Sequence, residues 1–315
     1  MLFLQGVVCK VRSMGIKMDK VKIDHLKTES RNPRTLNLDS MSTLELISIM
    51  NEEDQKVLDT VKTALPQIEK AIQLVIQALR NNGRLIYIGA GTSGRLGILD
   101  AVECVPTFST SDEVIGIIAG GEKAFVRAVE GAEDSEELAA KDLDGINISE
   151  KDVVVAIAAS GRTPYAIGAL KHAGSFNAKC IGISCNKGAR LSEYAHVAIE
   201  VDAGPEVLTG STRLKAGTCQ KIILNMISTA CMVGIGKVYG NLMVDMKATN
   251  LKLVERAKRI VMESTGCGYE TAAAALESTG FNSKTAIVMI LTGVSQEEAR
   301  RRIAENNGFI RKCIN

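Results

Sequence analysis

The chain has 315 residues, of which 46% are hydrophobic and 23% charged, with a formal net charge of +2. This length allows one large α/β domain with helical additions, or two domains. The near-neutral charge argues against a disordered chain and against nucleic acid as a partner, and with no run of about 18 apolar residues a transmembrane helix is excluded. The eight cysteines form no C-x-x-C pair and the short apolar opening Leu2–Val8 has no preceding charge, so a reducing cytoplasm is expected, with cysteines as small core residues and no membrane association. His25, His172 and His196 stand far apart without a second ligand nearby, so no metal site is expected.

Residues 1–25 show no clear periodicity and are read as a tail. Residues 26–83 form an N-terminal helical segment. Ser42-Thr-Leu-Glu45 is a capping box, and Ile68, Ile72, Val75 and Leu79 recur on one face before Gly83 closes the helix. Five β-rich runs follow, Leu85–Ile88, Val114–Ile118, Val153–Ala158, Cys180–Ser184 and His196–Val201, separated by helix-like stretches. Several are apolar almost throughout, as strands buried on both faces are, which predicts a three-layer α/β domain with a parallel five-stranded sheet over 84–250. A long helix is predicted from Lys215 to about Val238. Residues 251–315 read as a small helical bundle, with a second capping box at Ser295-Gln-Glu-Glu298.

After the first predicted strand, Gly89-Ala-Gly91-Thr-Ser-Gly94 fits the dinucleotide pattern G-x-G-x-x-G. A dinucleotide site also needs an acid at the tip of the second strand to hold ribose hydroxyls. That strand ends in Ala119-Gly-Gly121 instead. The first loop offers Thr92 and Ser93, and the third strand ends in a matching loop, Ala159-Ser-Gly-Arg-Thr-Pro164, with hydroxyls at Ser160 and Thr163 around Gly161. Gly, Ser and Thr also make tight turns and cap helices, but two matched loops on one sheet favour a single phosphate monoester, bound by Gly91, Thr92, Ser93, Ser160, Gly161 and Thr163.

A parallel sheet with hydroxyl-rich loops after its first and third strands resembles the sugar isomerase (SIS) domain, which binds phosphosugars. Closer still is the resemblance to the N-acetylmuramic acid 6-phosphate etherases, carried from about Leu26 onward by "TESRNP", "IGAGTSGRLGILDAVEC", "IAGGEKAFVRAVEGAEDS", "AIAASGRTPYAIGAL", "TGSTRLKAGTCQKIILNMIS" and "GNLMVDMKATN". The resemblance implies a carbon–oxygen lyase of amino-sugar catabolism and peptidoglycan recycling. It removes D-lactate from N-acetylmuramic acid 6-phosphate and adds water, without a cofactor, giving N-acetylglucosamine 6-phosphate. In the block Cys104-Val-Pro106, Val105 stands where the family commonly has a second proline, a change expected to alter only local rigidity.

The C3 ether is β to the C1 aldehyde of the open-chain sugar, so the chemistry calls for a carboxylate base at C2 and a carboxylic acid for the departing oxygen. By resemblance Glu103 is the acid and Glu133 the base. A helix starting near Gly94 would carry Glu103 about 13 Å from its N-terminus. Either that helix breaks near Gly97 or a second subunit completes the pocket, and the second reading is preferred because such domains typically form homodimers with shared sites. Glu206–Thr218 is expected to form a third wall, with Ser211 and Thr212 as either ligand contacts or an N-cap. Lys215 and Arg162 are candidates for the phosphate or the lactyl carboxylate, with a solvated surface charge as the plain alternative. Two rival functions share this frame: a phosphosugar sensor like the glucokinase regulatory protein, which needs no acid and base, and an aldose–ketose isomerase.

Overall fold

Each of the five β-rich runs forms a strand. In the computed structural model, which describes residues 26–127 and 129–314, they are β1 (Leu85–Gly89), β2 (Val114–Ile118), β3 (Val153–Ala158), β4 (Lys179–Ser184) and β5 (Val197–Glu200). The tail read at 1–25 lies outside the described residues. The strands are parallel, in the order β2-β1-β3-β4-β5. Side chains alternate between the two faces: Leu85, Tyr87, Val153, Val155 and Ile181 enter one core, while Ile86, Ile88, Val154, Ala156 and Cys180 enter the other. Both faces are covered, hence the unbroken apolar runs.

On the first face lie α1 (Thr43–Thr63), α2 (Leu65–Arg80), α3 (Gly91–Phe108) and α7 (Lys215–Gly234), contributing Val57, Ile68, Val75, Cys104, Ile223 and Ile227. Between them in the chain come α4 (Glu122–Val126), α5 (Glu136–Gly145) and α6 (Pro164–Ser175). Of these, α5 and α6 cover the second face through Leu143, Tyr165 and Leu170. The Ser42–Glu45 capping box forms in both directions and starts α1. Gly83 closes α2 through its N–H to Ala78 O at 2.8 Å.

The C-terminal helices α8 (Leu251–Thr265), α9 (Tyr269–Ser278), α10 (Ser283–Thr292), α11 (Gln296–Glu305) and α12 (Ile310–Cys313) gather around a third core that includes Val261, Leu276, Ile287 and Ala299 together with Val244 and Met246. Ser295 caps α11, accepting from Glu298 N. The reciprocal half of that box is replaced by ion pairs from Arg301 and Arg302 to the Glu298 carboxylate.

Buried thiols are the rule: Cys104, Cys180, Cys185, Cys219, Cys231 and Cys313 are all buried and free. Burial pushes Cys104 and Cys219 up to about 12, so neither is a thiolate at neutral pH. Among the described residues no helix is long and apolar enough to cross a membrane.

Candidate active site

The strand order marks out a candidate site. From β1 the chain leaves into α3 on one face of the sheet, and from β3 it leaves into α6 on the other, with β1 and β3 adjacent and Gly89 in register with Ile157. A crevice opens beyond the carboxyl ends of such a pair. The two hydroxyl-bearing loops follow these strands and are the first two walls of the candidate site.

The first wall is the start of α3. Gly91 sits at φ +54, a left-handed conformation that side chains rarely adopt. The first-turn N–H groups of α3 have no intrahelical acceptors and lie at the positive end of its dipole. Thr92 is half-buried. Ser93 is buried, and its hydroxyl is 3.0 Å from Gln220 Oε1 on α7.

The second wall is 159–163. Ser160 Oγ accepts from Arg162 N at 3.2 Å, which folds the loop over Gly161. Gly161 has φ +67, and a Cβ there would stand 2.4 Å from that of Ala189. Thr163 precedes α6 without capping it by its side chain.

Asn186 fastens this loop to the N-terminal segment. It accepts from Lys27 N at 2.8 Å and donates to Thr28 Oγ1 at 3.0 Å and Ala159 O at 3.1 Å. Thr35 then donates to Val207 O at 2.8 Å and Asn32 to Pro205 O at 3.2 Å. The "TESRNP" block therefore bridges the second loop and the third wall. A cavity of about 180 Å³ lies at this junction, with Arg162, Asn186 and Lys27 in its lining.

At the third wall, of the two roles left open for Ser211 and Thr212, capping is not the one the structure shows. Among the described residues the side chains of Ser211 and Thr212 do not cap α7. Glu206 accepts from Lys215 N at 3.0 Å and Ala216 N at 2.9 Å, filling the start of that helix with a buried carboxylate. Burial raises the Glu206 pKa, against those two N–H bonds and the Lys215 charge. Thr212 remains close to the first wall through Gly217, whose Cβ position would be 3.6 Å from both Thr212 O and the Thr92 methyl.

Lys215 is not a surface charge. It is 1% exposed, and its ammonium pairs with Glu53 at 2.7 Å. It lines a separate cavity of about 340 Å³ with Asn32, Arg34 and Lys56. Glu53 also takes Arg34 at 3.0 Å, Asn32 at 3.1 Å and Lys56. Burial pushes its carboxyl up, but Lys215, Lys56 and Arg34 together hold it down at about 2.

Of the two glutamates, Glu133 lies on the segment after β2, in the single turn Ala132–Asp134, exposed beside the buried Ala132. Arg95 on α3 ties that segment down, donating to Ala124 O at 2.7 Å and Phe125 O at 2.9 Å. Glu133 is thus at the same edge of the sheet as the loops. Glu103 is not. The break considered near Gly97 does not occur: α3 is continuous from Gly91 to Phe108. At Gly97 the missing Cβ lets the helix lie against Tyr87, whose Cβ would be 2.9 Å away. Glu103, twelve residues after Gly91 and exposed, stands about 18 Å down the helix axis.

Comparison with known proteins places this fold in a class. Residues 67–174 match the glucokinase regulatory protein N-terminal SIS domain, and residues 133–230 match the SIS domain model. A phosphoheptose isomerase from Francisella tularensis aligns with a TM-score of 0.49 at 18% identity, over 61% of this chain and all of that one. On the two domain-model matches, the chain carries a SIS domain. An N-acetylmuramic acid 6-phosphate etherase of Shouchella clausii is 61% identical over 93% of this chain and 99% of its own. One of Bacillus cytotoxicus is 59% identical over 93% and 100%. The chain belongs to the N-acetylmuramic acid 6-phosphate etherase family.

Proposed function

We propose that this chain is a carbon–oxygen lyase that cleaves the lactyl ether of N-acetylmuramic acid 6-phosphate, releasing D-lactate and leaving N-acetylglucosamine 6-phosphate. The observation that carries this reading is full-length similarity above half identity to etherases, on a fold whose paired loops suit a phosphate monoester. Residues Gly91, Thr92, Ser93, Ser160, Gly161 and Thr163 hold the ester anion with N–H and O–H donors. Ser211, Thr212 and Arg162 face the remainder of the sugar. Lys215 acts from behind the wall, through Glu53. Glu133 takes the C2 proton, lactate leaves C3 by elimination, and water adds to the unsaturated aldehyde. Glu103 supplies the proton to the departing oxygen.

Because Glu103 lies far along α3 from the loops of its own protomer, the reading includes a homodimer in which each pocket takes Glu103 from the partner. An apolar groove of about 1120 Å³ between α2 and α7, lined by Ile68, Ile72, Ile76, Ile222, Met226 and Val233, offers a face for a second copy. On α3, Val102, next to Glu103, is 57% exposed. The reading also takes 84–250 as the sugar-phosphate domain, 26–83 and 251–315 as helical additions, and the cytoplasm as the compartment where recycled cell-wall sugar is met.

Incubation with N-acetylmuramic acid 6-phosphate in deuterated water tests the function. Lactate release with deuterium at C2 of the product is expected. Binding without lactate would instead mark a sugar-phosphate sensor, and isomerised sugar would mark an isomerase.

A further inference from the structure

Ser93 has one proton to donate, and in the structure it faces Gln220 Oε1 at 3.0 Å. The partner amide is 1% exposed, and its Nε2 has no hydrogen-bond partner among the described residues. A buried N–H left unpaired is costly. Turning the amide by half a rotation reverses the polarity. Nε2 then donates to Ser93 Oγ, and the hydroxyl proton is released toward the crevice. Because Nε2 is itself buried, it acts on a ligand only through Ser93.

We propose that Gln220 is a positioning residue that sets the direction of the Ser93 hydroxyl: with the crevice empty its oxygen accepts from Ser93, and with a phosphate ester bound its amide turns so that Ser93 donates to the ester oxygen. This rests on the reading of Ser93 as a phosphate ligand. The bond gained is charge-assisted, whereas the bond given up is neutral. An arriving dianion therefore favours the turned amide. Gln suits the position because it presents a donor and an acceptor on one rigid plane.

The test compares Gln220→Glu, Gln220→Met and Ser93→Ala, binding N-acetylglucosamine 6-phosphate by calorimetry in alkaline buffer, where a carboxylate at 220 only accepts. Ser93→Ala should weaken binding on the order of 10- to 100-fold, the span of one hydrogen bond to a charged group. Gln220→Glu should lose a similar factor, because it holds the Ser93 proton, and should lose nothing further in the Ser93→Ala background. Gln220→Met, which leaves the hydroxyl free to turn, should bind more tightly than Gln220→Glu. A structural role alone would make methionine at least as damaging as glutamate, and that order, or additive losses in the double variant, would overturn the proposal. Unchanged binding by Ser93→Ala would remove both this proposal and the phosphate reading of Ser93. Weakened binding by Ser93→Ala with normal binding by Gln220→Glu would remove the role of Gln220 alone. Thermal melting of each variant, followed with the far-ultraviolet signal, confirms that the compared proteins are folded.

Discussion

Replacing Glu53 by glutamine should reveal how the third wall is held. Glu53 is 1% exposed and Lys215 likewise, and their 2.7 Å contact joins α1 to the first turn of α7 across 162 positions of sequence. The amide keeps the shape and an acceptor but removes the charge, leaving the buried Lys215 ammonium without its ion-pair partner. Breaking such a pair from one side costs about 3–5 kcal/mol, which at 2–4 °C per kcal/mol lowers the melting midpoint by about 6–20 °C. A Glu53→Met, Lys215→Met double variant removes both charges and should melt above Glu53→Gln, since an apolar pair has no desolvation cost. The pH dependence follows from the depressed carboxyl. Its folded value of about 2 lies below the ordinary 4.5, so its stabilisation is complete above about 4.5 and is lost as pH falls towards 2. Glu53→Gln should flatten that stretch of the stability profile. Urea denaturation across pH measures both effects. A cost below about 1 kcal/mol, typical of an exposed pair, with an unchanged acid profile, would refute the reasoning.

Glu133→Gln should abolish deuterium exchange at C2 and lactate release together, whereas Glu103→Gln should suppress lactate release while exchange persists in part. Nuclear magnetic resonance of the sugar separates the two, and full activity in both variants would remove the pair from the mechanism. Gly161→Ala should destabilise the fold by more than about 1 kcal/mol, because alanine resists a left-handed backbone and its Cβ would meet Ala189 at 2.4 Å. Sugar-phosphate affinity should fall with it, and unaltered melting and binding would contradict that placement. Asp100 on α3 is buried and accepts from Asn225 at 2.8 Å and Ser228 at 3.1 Å through one oxygen. Burial holds its carboxyl above 3.8 despite those bonds, so ionisation costs more in the folded state and its penalty is present at neutral pH but fades in acid. Asp100→Asn should therefore be at least as stable as the parent at neutral pH, with the advantage vanishing below about 3.8, as thermal melts across pH will show. A loss above about 1 kcal/mol, the value of one hydrogen bond, would contradict this.

The sheet was legible because its strands are buried on both faces, which writes itself into the chain as short apolar runs such as Val153–Ala158. The paired loops were legible because Gly, Ser and Thr cluster where those runs stop. The rise per residue alone exposed the difficulty with Glu103, and the unbroken α3 makes it larger. What reading along the chain missed are contacts between distant residues. Hydroxyls at Ser211 and Thr212 stand just before α7 as candidate caps, but Glu206 reaches it from nine positions upstream. Lys215 looked like a free cation because Glu53 lies a whole domain away in sequence. Asn186 and Gln220 carry no local signal, since an amide in an apolar stretch discloses its partner only when the chain is folded.

Mixing two inactive variants tests the account most directly. Glu103→Gln and Glu133→Gln proteins, dissociated together and reassociated, should form about half mixed dimers, each with one intact pocket, and recover about a quarter of parental lactate release. Mixed dimers that form but recover no activity would show that both glutamates serve within one protomer, and the shared pocket would be wrong.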